Sequence, residues 1–217
     1  MKCDKCQAEL YCSEDCRMAD EHVHKTLCDS WLSKEVQQPP SPGARRVIVL
    51  EEREPIVRFV WASVSKPGEA EFEIPSLRHC RMASPGDYGS PRACDFKRWE
   101  YNPIRQRKFD DVSILFWFCD NALDKRFFQP NAAAEKFFPE TKNTSQGSVW
   151  PGPVLVSRND NHTGRMLDMN IRDMREVVDW LIKFSQRPGN KLGLQVEVLP
   201  NVGWMDRLME LMQEENN

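Results

Sequence analysis

The chain has 217 residues, of which 40% are hydrophobic and 29% charged, enough for one globular domain and a small additional module. Its 30 Lys and Arg residues are outnumbered by 33 Asp and Glu residues, which gives a net charge of -3 and an isoelectric point near 5.9. No broad basic field indicates nucleic acid, so we expect no nucleic-acid partner. The short basic clusters Arg45-Arg46 and 105–108 are typical of solvated surface.

The chain shows neither an apolar signal region near Met1 nor a run of about 18 apolar residues. We therefore expect an intracellular protein, cytoplasmic or nuclear, with no membrane partner. A reducing compartment also keeps cysteine thiols available for metal.

Cysteine and histidine residues crowd into the first 28 positions of the chain. They form a Cys-x-x-Cys pair, a Cys-x3-Cys pair and a His-x3-Cys pair, a density that disfavours ordinary buried thiols or disulfides. Structural Zn²⁺ prefers closed sets of Cys and His, whereas catalytic zinc keeps one position open to water. The sequence therefore predicts structural zinc. The candidate ligands are Cys3, Cys6, Cys12, Cys16, His24 and Cys28.

A helix is predicted to carry the last two of these ligands. Ser13 is a good N-cap, and Glu14 and Asp15 then fall in the first turn, where negative charge suits the helix dipole. His24 and Cys28 are four residues apart and share one helix face. One helix can therefore present both donors to one ion.

The pattern YCSEDC, AD and HKTLC between residues 11 and 28 resembles the second half of a MYND-type zinc finger, whose signature runs YCSxxCQxxDWxxHKxxC. Complete fingers of this family carry four ligand pairs that alternate between two zinc ions. The resemblance implies that four of the candidates share one ion: Cys3, Cys6, His24 and Cys28. A second ion would have only Cys12 and Cys16, because the family's first Cys pair would lie before Met1. We therefore expect an N-terminally truncated finger.

Two positions depart from the family pattern. Arg17 stands where the family usually has Gln, and Glu21 stands where it usually has Trp. The resemblance implies a protein or peptide partner, with proline-containing peptides as the candidate class, but the missing aromatic weakens that expectation. His22 has the pattern of a solvated helix residue, and it is the nearest spare donor for Cys12 and Cys16.

A proline-rich segment separates the finger from the rest of the chain. Residues 37–44 read QQPPSPGA, and such a composition favours extended or turning backbone. We predict a finger at residues 1–32, a linker at 33–44 and an α+β domain at 45–217. We expect this last domain to fold without the finger.

The second domain mixes strand and helix patterns. Runs of β-branched and aromatic residues predict strands at Val47–Leu50, Ile56–Trp61, Val112–Phe118, Val154–Val156 and Leu192–Val198. Apolar residues at helical spacing behind an Asn170 cap predict one amphipathic helix, and a stripe within 205–212 predicts another. The first stripe consists of Met174, Val177, Val178 and Leu181. The fold class is α+β, and residues 150–180 are similar to regions of fungal MYND-containing proteins of unassigned activity.

Motifs of enzyme chemistry are absent from the sequence: it has no Gly-x-Gly-x-x-Gly, Walker loop, Gly-x-Ser-x-Gly or His-Glu-x-x-His. Asp160 and His162 lie in a stretch typical of an exposed turn. His79 and Cys80 are adjacent, which disfavours a nucleophile and base pair. Cys119 follows an apolar run and is predicted to be a buried thiol. We therefore predict that the chain is not an enzyme.

Three classes of function remain. The leading class is a zinc-binding protein whose finger mediates protein-protein interaction, as the resemblance implies. Some MYND fingers are inserted in SET-type lysine methyltransferases, but that family has half its catalytic domain before the finger and an Asn-His-Ser type motif, and this chain has neither. A nucleic-acid-binding regulator is disfavoured by the acidic isoelectric point.

Overall fold

The computed structural model describes residues 1–66, 69–71, 81–82, 93–119, 131–137 and 152–185. Its helices are α1 (Glu14–Trp31), α2 (Lys34–Gln37), α3 (Ala132–Phe137) and α4 (Asp173–Ser185). Its strands are β1 (Ala44–Leu50), β2 (Val57–Lys66), β3 (Glu69–Glu71), β4 (Arg81–Met82), β5 (Ala93–Trp99), β6 (Tyr101–Asn102), β7 (Arg107–Lys108), β8 (Val112–Cys119), β9 (Val154–Asp160) and β10 (Met166–Leu167). Helices with a mainly antiparallel sheet make this the predicted α+β fold.

Most of the described strands belong to one sheet, ordered β3-β2-β1-β9-β8-β5-β4, with β10 paired to β9. The pairings are antiparallel except for the one between β4 and β5. Strands β6 and β7 form a separate two-stranded ribbon. At the centre, β1 pairs with β9, which joins parts of the chain that are far apart in sequence.

The central strand β1 is buried on both of its faces. Val47, Ile48, Val49 and Leu50 are each 0% exposed, as expected for a continuous apolar run in the middle of a covered sheet. The predicted strand at Val47–Leu50 is therefore confirmed. Three predictions concern residues that the structure does not describe: the strand at Leu192–Val198, the stripe within 205–212 and the pair His79-Cys80.

Helix α4 covers one face of the sheet, and its predicted apolar stripe is confirmed. The four residues of the stripe are 0–2% exposed: Met174, Val177, Val178 and Leu181. Asn170 lies in the turn before the helix and not at its N-cap position, because α4 begins at Asp173; its Oδ1 accepts a hydrogen bond from Arg172 N at 2.9 Å. On the same face, Phe116 of β8 stacks on Trp180 with ring centroids 3.7 Å apart.

Helix α1 packs against the same core. Val23 and Leu27 are 1% and 0% exposed, and they belong to one continuous apolar cluster that includes Ile48 and Phe116 of the sheet. The alternation of the strands places these sheet residues on the helix-covered face. The finger helix is thus part of the wall of the main core.

The segment predicted as a linker, 33–44, contains the short helix α2, which packs against β2. Val36 of α2 is 6% exposed, and Trp61 of β2 donates from Nε1 to the carbonyl of Glu35 at 2.6 Å. The division into finger, linker and domain stays a prediction, because it concerns which parts fold alone. Among the helices that the structure describes, none has the length and apolar character to cross a membrane.

Candidate metal centre

Cys3 and Cys6 lie on a compact turn at the start of the chain, formed by residues 1–11 and called the knuckle below. Cys3 N donates to Glu9 O at 3.1 Å, and Tyr11 N donates to Met1 O at 2.7 Å. These bonds draw the two ends of the knuckle together. Gln7 has a φ of 57°, in the left-handed region that lets the backbone reverse.

The other two donors come from α1. Ser13 caps this helix as predicted, because its side chain accepts a hydrogen bond from Cys16 N at 3.2 Å. Glu14 and Asp15 occupy the first turn. His24 and Cys28 are both buried on the face of α1 that meets the knuckle and the core.

The structure brings four donor atoms within 4.8 Å of one another: those of Cys3, Cys6, His24 and Cys28. Cys3 Sγ lies 3.8 Å from Cys28 Sγ and 3.3 Å from His24 Nε2. Tetrahedral zinc with Zn–S bonds of about 2.3 Å separates two sulfurs by about 3.8 Å. The spacing therefore fits one tetrahedral ion, and these four residues would hold Zn²⁺ in a closed site that stabilises the fold.

The electrostatics of the cluster also favour a cation. Burial, together with the nearby thiols of Cys3 and Cys6, raises the pKa of the Cys28 thiol to about 12. Burial lowers the pKa of His24, which favours the neutral imidazole. For Cys3, burial raises the pKa, but hydrogen bonds from the Cys6 and Lys5 backbone outweigh it and the net direction is down. Several thiolates this close together require a positive charge between them.

Cys12 and Cys16 do not join this cluster. Both are exposed, and their thiols contact each other, which lowers the pKa of Cys16. His22, the spare donor considered for this pair, is also exposed. Among the described residues they belong to no group of three or more candidate ligands within ligating range. The predicted set of six ligands thus separates into one complete site and one pair.

A pocket of about 200 Å³ opens beside the four-residue cluster. Its lining consists of Cys3, Asp4, Lys5, Tyr11, Arg17, Glu21 and His24. The Tyr11 ring meets the His24 ring edge to face at 6.1 Å, and its hydroxyl donates to Asp20 at 3.2 Å. Arg17 lies 3.8 Å from Glu21. An ion pair therefore lines the pocket at the positions that depart from the MYND signature.

The residues weighed for enzyme chemistry lie elsewhere. Asp160 Oδ1 accepts hydrogen bonds from the backbone of His162 and Thr163, both at 2.8 Å, in a turn after β9. The predicted turn is therefore confirmed. The His162 ring points instead to Asp111, 3.0 Å away, where both side chains are exposed. That carboxylate raises the pKa of His162.

Two arginines make contacts near the site that no sequence pattern predicts. The pair Arg45-Arg46 is typical of solvated surface, yet the Arg46 guanidinium lies 4.4 Å from the Trp31 ring centroid. Arg172 donates to the carbonyl of Ala8 in the knuckle at 3.1 and 3.2 Å. Their partners are remote in sequence, so no local pattern could have indicated these contacts.

Comparison with known protein families identifies residues 1–28 as a MYND finger. The match covers the whole four-residue cluster as well as Cys12 and Cys16, and with the geometry above it makes this segment a MYND-type zinc finger. No curated protein and no solved structure matches the chain.

Proposed function

We propose that this protein is an intracellular interaction protein whose zinc-fixed finger captures a short, extended peptide of a partner protein. The observation that carries the proposal is the pocket between the knuckle and α1. MYND fingers generally mediate protein-protein interactions, and the family match covers this region.

The chemistry of the pocket suits a peptide. Tyr11 contributes an aromatic ring to the lining, while Arg17 and Glu21 contribute a donor and an acceptor. The metal and the core fix this surface before binding, so that little ordering is required of the protein. An extended peptide can then use both backbone hydrogen bonds and apolar contacts.

We propose binding rather than catalysis as the activity. The metal cluster supplies four protein donors, which leaves a tetrahedral ion no open position for water. The acidic charge balance disfavours a nucleic-acid partner. A methyltransferase activity has no motif to support it in this sequence.

The test is a nuclear magnetic resonance titration of the zinc-loaded, isotope-labelled full chain with a small library of extended proline-containing peptides. We expect amide shifts to concentrate at Tyr11, Arg17 and Glu21. Tyr11→Ala should weaken binding, whereas His22→Ala, on the exposed side of α1, should not. Shifts that cluster in residues 44–185 and ignore Tyr11→Ala would move the function to the α+β domain.

A further inference from the structure

The two halves of the metal cluster are fastened to the globular part at separate places. The knuckle, which carries Cys3 and Cys6, is held by Arg172 at the entry to α4. The Arg172 guanidinium donates twice to Ala8 O, at 3.1 and 3.2 Å, and lies 3.8 Å from the Glu9 carboxylate. A segment of about ten residues is too short to hold its shape alone, so contacts to the rest of the protein are needed to position it.

The second half, α1, is held by the sheet. Beyond its buried residues, the helix ends at Trp31, whose ring lies 5.3 Å from the Phe59 ring of β2. Arg46 of β1 covers both rings, with its guanidinium carbon 4.4 Å from the Trp31 centroid and 5.5 Å from the Phe59 centroid. Such stacked cations add to the packing of aromatic rings.

Arg46 also ties together three backbone segments. Its Nε donates to Met169 O at 2.7 Å, just before α4, and a terminal nitrogen donates to Val36 O of α2 at 2.9 Å. A third anchor joins α1 directly to α4, since Asp20 and Arg175 are 3.5 Å apart. The start of α4 and the residue before it are therefore bound to both halves of the finger, to the knuckle through Arg172 and to α1 through Arg175.

We propose that zinc in this site acts as a staple of the whole fold, so that zinc binding and the folding of the sheet are thermodynamically coupled through Arg46 and Arg172. The ion joins the knuckle to α1, and each of these segments is separately fixed to the β1, β2 and α4 framework. When the ion leaves, the knuckle and α1 keep only contacts such as that of Tyr11 with Asp20, and the packing of α1 against the core is weakened.

This coupling works in both directions. A framework that holds the knuckle and α1 in place presents the four donors in ligating geometry, which raises zinc affinity. By linkage, zinc stabilises the framework by the same factor. This proposal departs from the expectation that residues 45–217 fold without the finger, and it is supported by the position of Val23 and Leu27 in the same apolar cluster as the sheet residues.

The first test measures zinc affinity in variants that leave all four ligands intact. Arg172→Met removes the donors to Ala8, and chelator competition on the full chain should show about tenfold weaker zinc binding, the lower end of the effect of losing a residue that supports a metal ligand. Arg165→Met is the matched control, because Arg165 is exposed in the turn after β9. Equal affinity in the two variants would overturn the proposal.

The second test follows the coupling in the opposite direction by hydrogen exchange of the full chain with zinc and after chelation. We expect amides of β1, β9 and α4 to lose protection together with those of residues 1–31. Arg46→Met should reduce this response in the sheet, since it cuts the connection to Met169 and Val36. Loss of protection confined to residues 1–31 on chelation would overturn the proposal.

Discussion

Cys3 and Cys28 are 25 residues apart in the chain, yet their sulfur atoms lie 3.8 Å apart. One sulfur belongs to the knuckle and the other to α1, and the distance equals about one edge of a tetrahedral zinc site. Donors from two separate elements of the finger are thus brought to a common point. A metal ion at that point would convert this arrangement into a single rigid unit.

We expect the purified chain to hold one tightly bound zinc ion. The cluster offers four donors to one ion, whereas Cys12 and Cys16 supply only two exposed thiols. Metal analysis of the native protein should give about one zinc per chain. Cys3→Ser or His24→Ala should release the ion, while Cys12→Ser should leave most of it.

Two outcomes would contradict this assignment. Two tightly bound ions per monomer would show that Cys12 and Cys16 find further ligands within the chain. Complete loss of zinc in Cys12→Ser would favour a sequential site made of Cys3, Cys6, Cys12 and Cys16.

The ligands were predictable because their geometry is local. A Cys-x-x-Cys turn brings two thiols together, and an i, i+4 pair on α1 does the same for His24 and Cys28. Which pairs share an ion came from the family resemblance, since spacing alone allowed Cys12 and Cys16 in the same site. The structure places the knuckle against the C-terminal half of α1, beyond the reach of such local arguments.

Strands and the α4 stripe were predictable for a similar reason. The second half of β1, Val47–Leu50, is an uninterrupted apolar run, and α4 repeats its apolar residues with the helical period. The contact between finger and sheet could not be predicted from the sequence, because it depends on arginine side chains that bind distant carbonyls. The prolines within 39–42 correctly indicate an irregular segment. Burial of Val36 in the short helix before them could not be predicted, because the Ser33 cap indicates where that helix starts and not what it packs against.

Leu27 should contribute strongly to stability in the zinc-loaded protein. It is 0% exposed and lies on α1 one residue before the ligand Cys28, so Leu27→Ala leaves a cavity between helix and sheet. We expect a loss of about 2–5 kcal/mol in the free energy of unfolding, measured by urea denaturation. Leu32→Ala is the control, because Leu32 is 58% exposed and should change stability by less than about 0.5 kcal/mol.

A larger effect of Leu32→Ala than of Leu27→Ala would mean that the core of the protein does not include α1. Both variants should be measured at saturating zinc. Differences in metal occupancy would otherwise enter the comparison.

His162 should titrate above the ordinary range for histidine, because the Asp111 carboxylate 3.0 Å away raises its pKa. A raised pKa in the folded state stabilises the fold below the unfolded pKa, and this contribution is lost as the pH rises through the folded value. Nuclear magnetic resonance titration of the ring protons should show the pKa fall in Asp111→Asn. An unchanged pKa would mean that the two exposed side chains do not pair in solution.

Glu21 should limit the affinity of the pocket for proline-containing peptides. It lines the pocket with Arg17, at the position where the MYND signature has Trp. An aromatic ring there would offer a flat apolar surface to a proline ring, whereas the carboxylate must be desolvated when such a peptide covers it. We expect Glu21→Trp to tighten binding of the peptides that shift Tyr11 and Arg17, measured by calorimetry on the zinc-loaded chain.

The same measurement on Cys28→Ser separates the role of the pocket from that of the metal. Cys28 contributes a donor to the cluster but does not line the pocket. If the metal fixes the pocket, this variant should lose peptide binding along with its zinc, and Glu21→Trp added to it should restore nothing. Binding that persists in Cys28→Ser at wild-type strength would place the peptide site on the α+β domain and leave the zinc with a purely structural role.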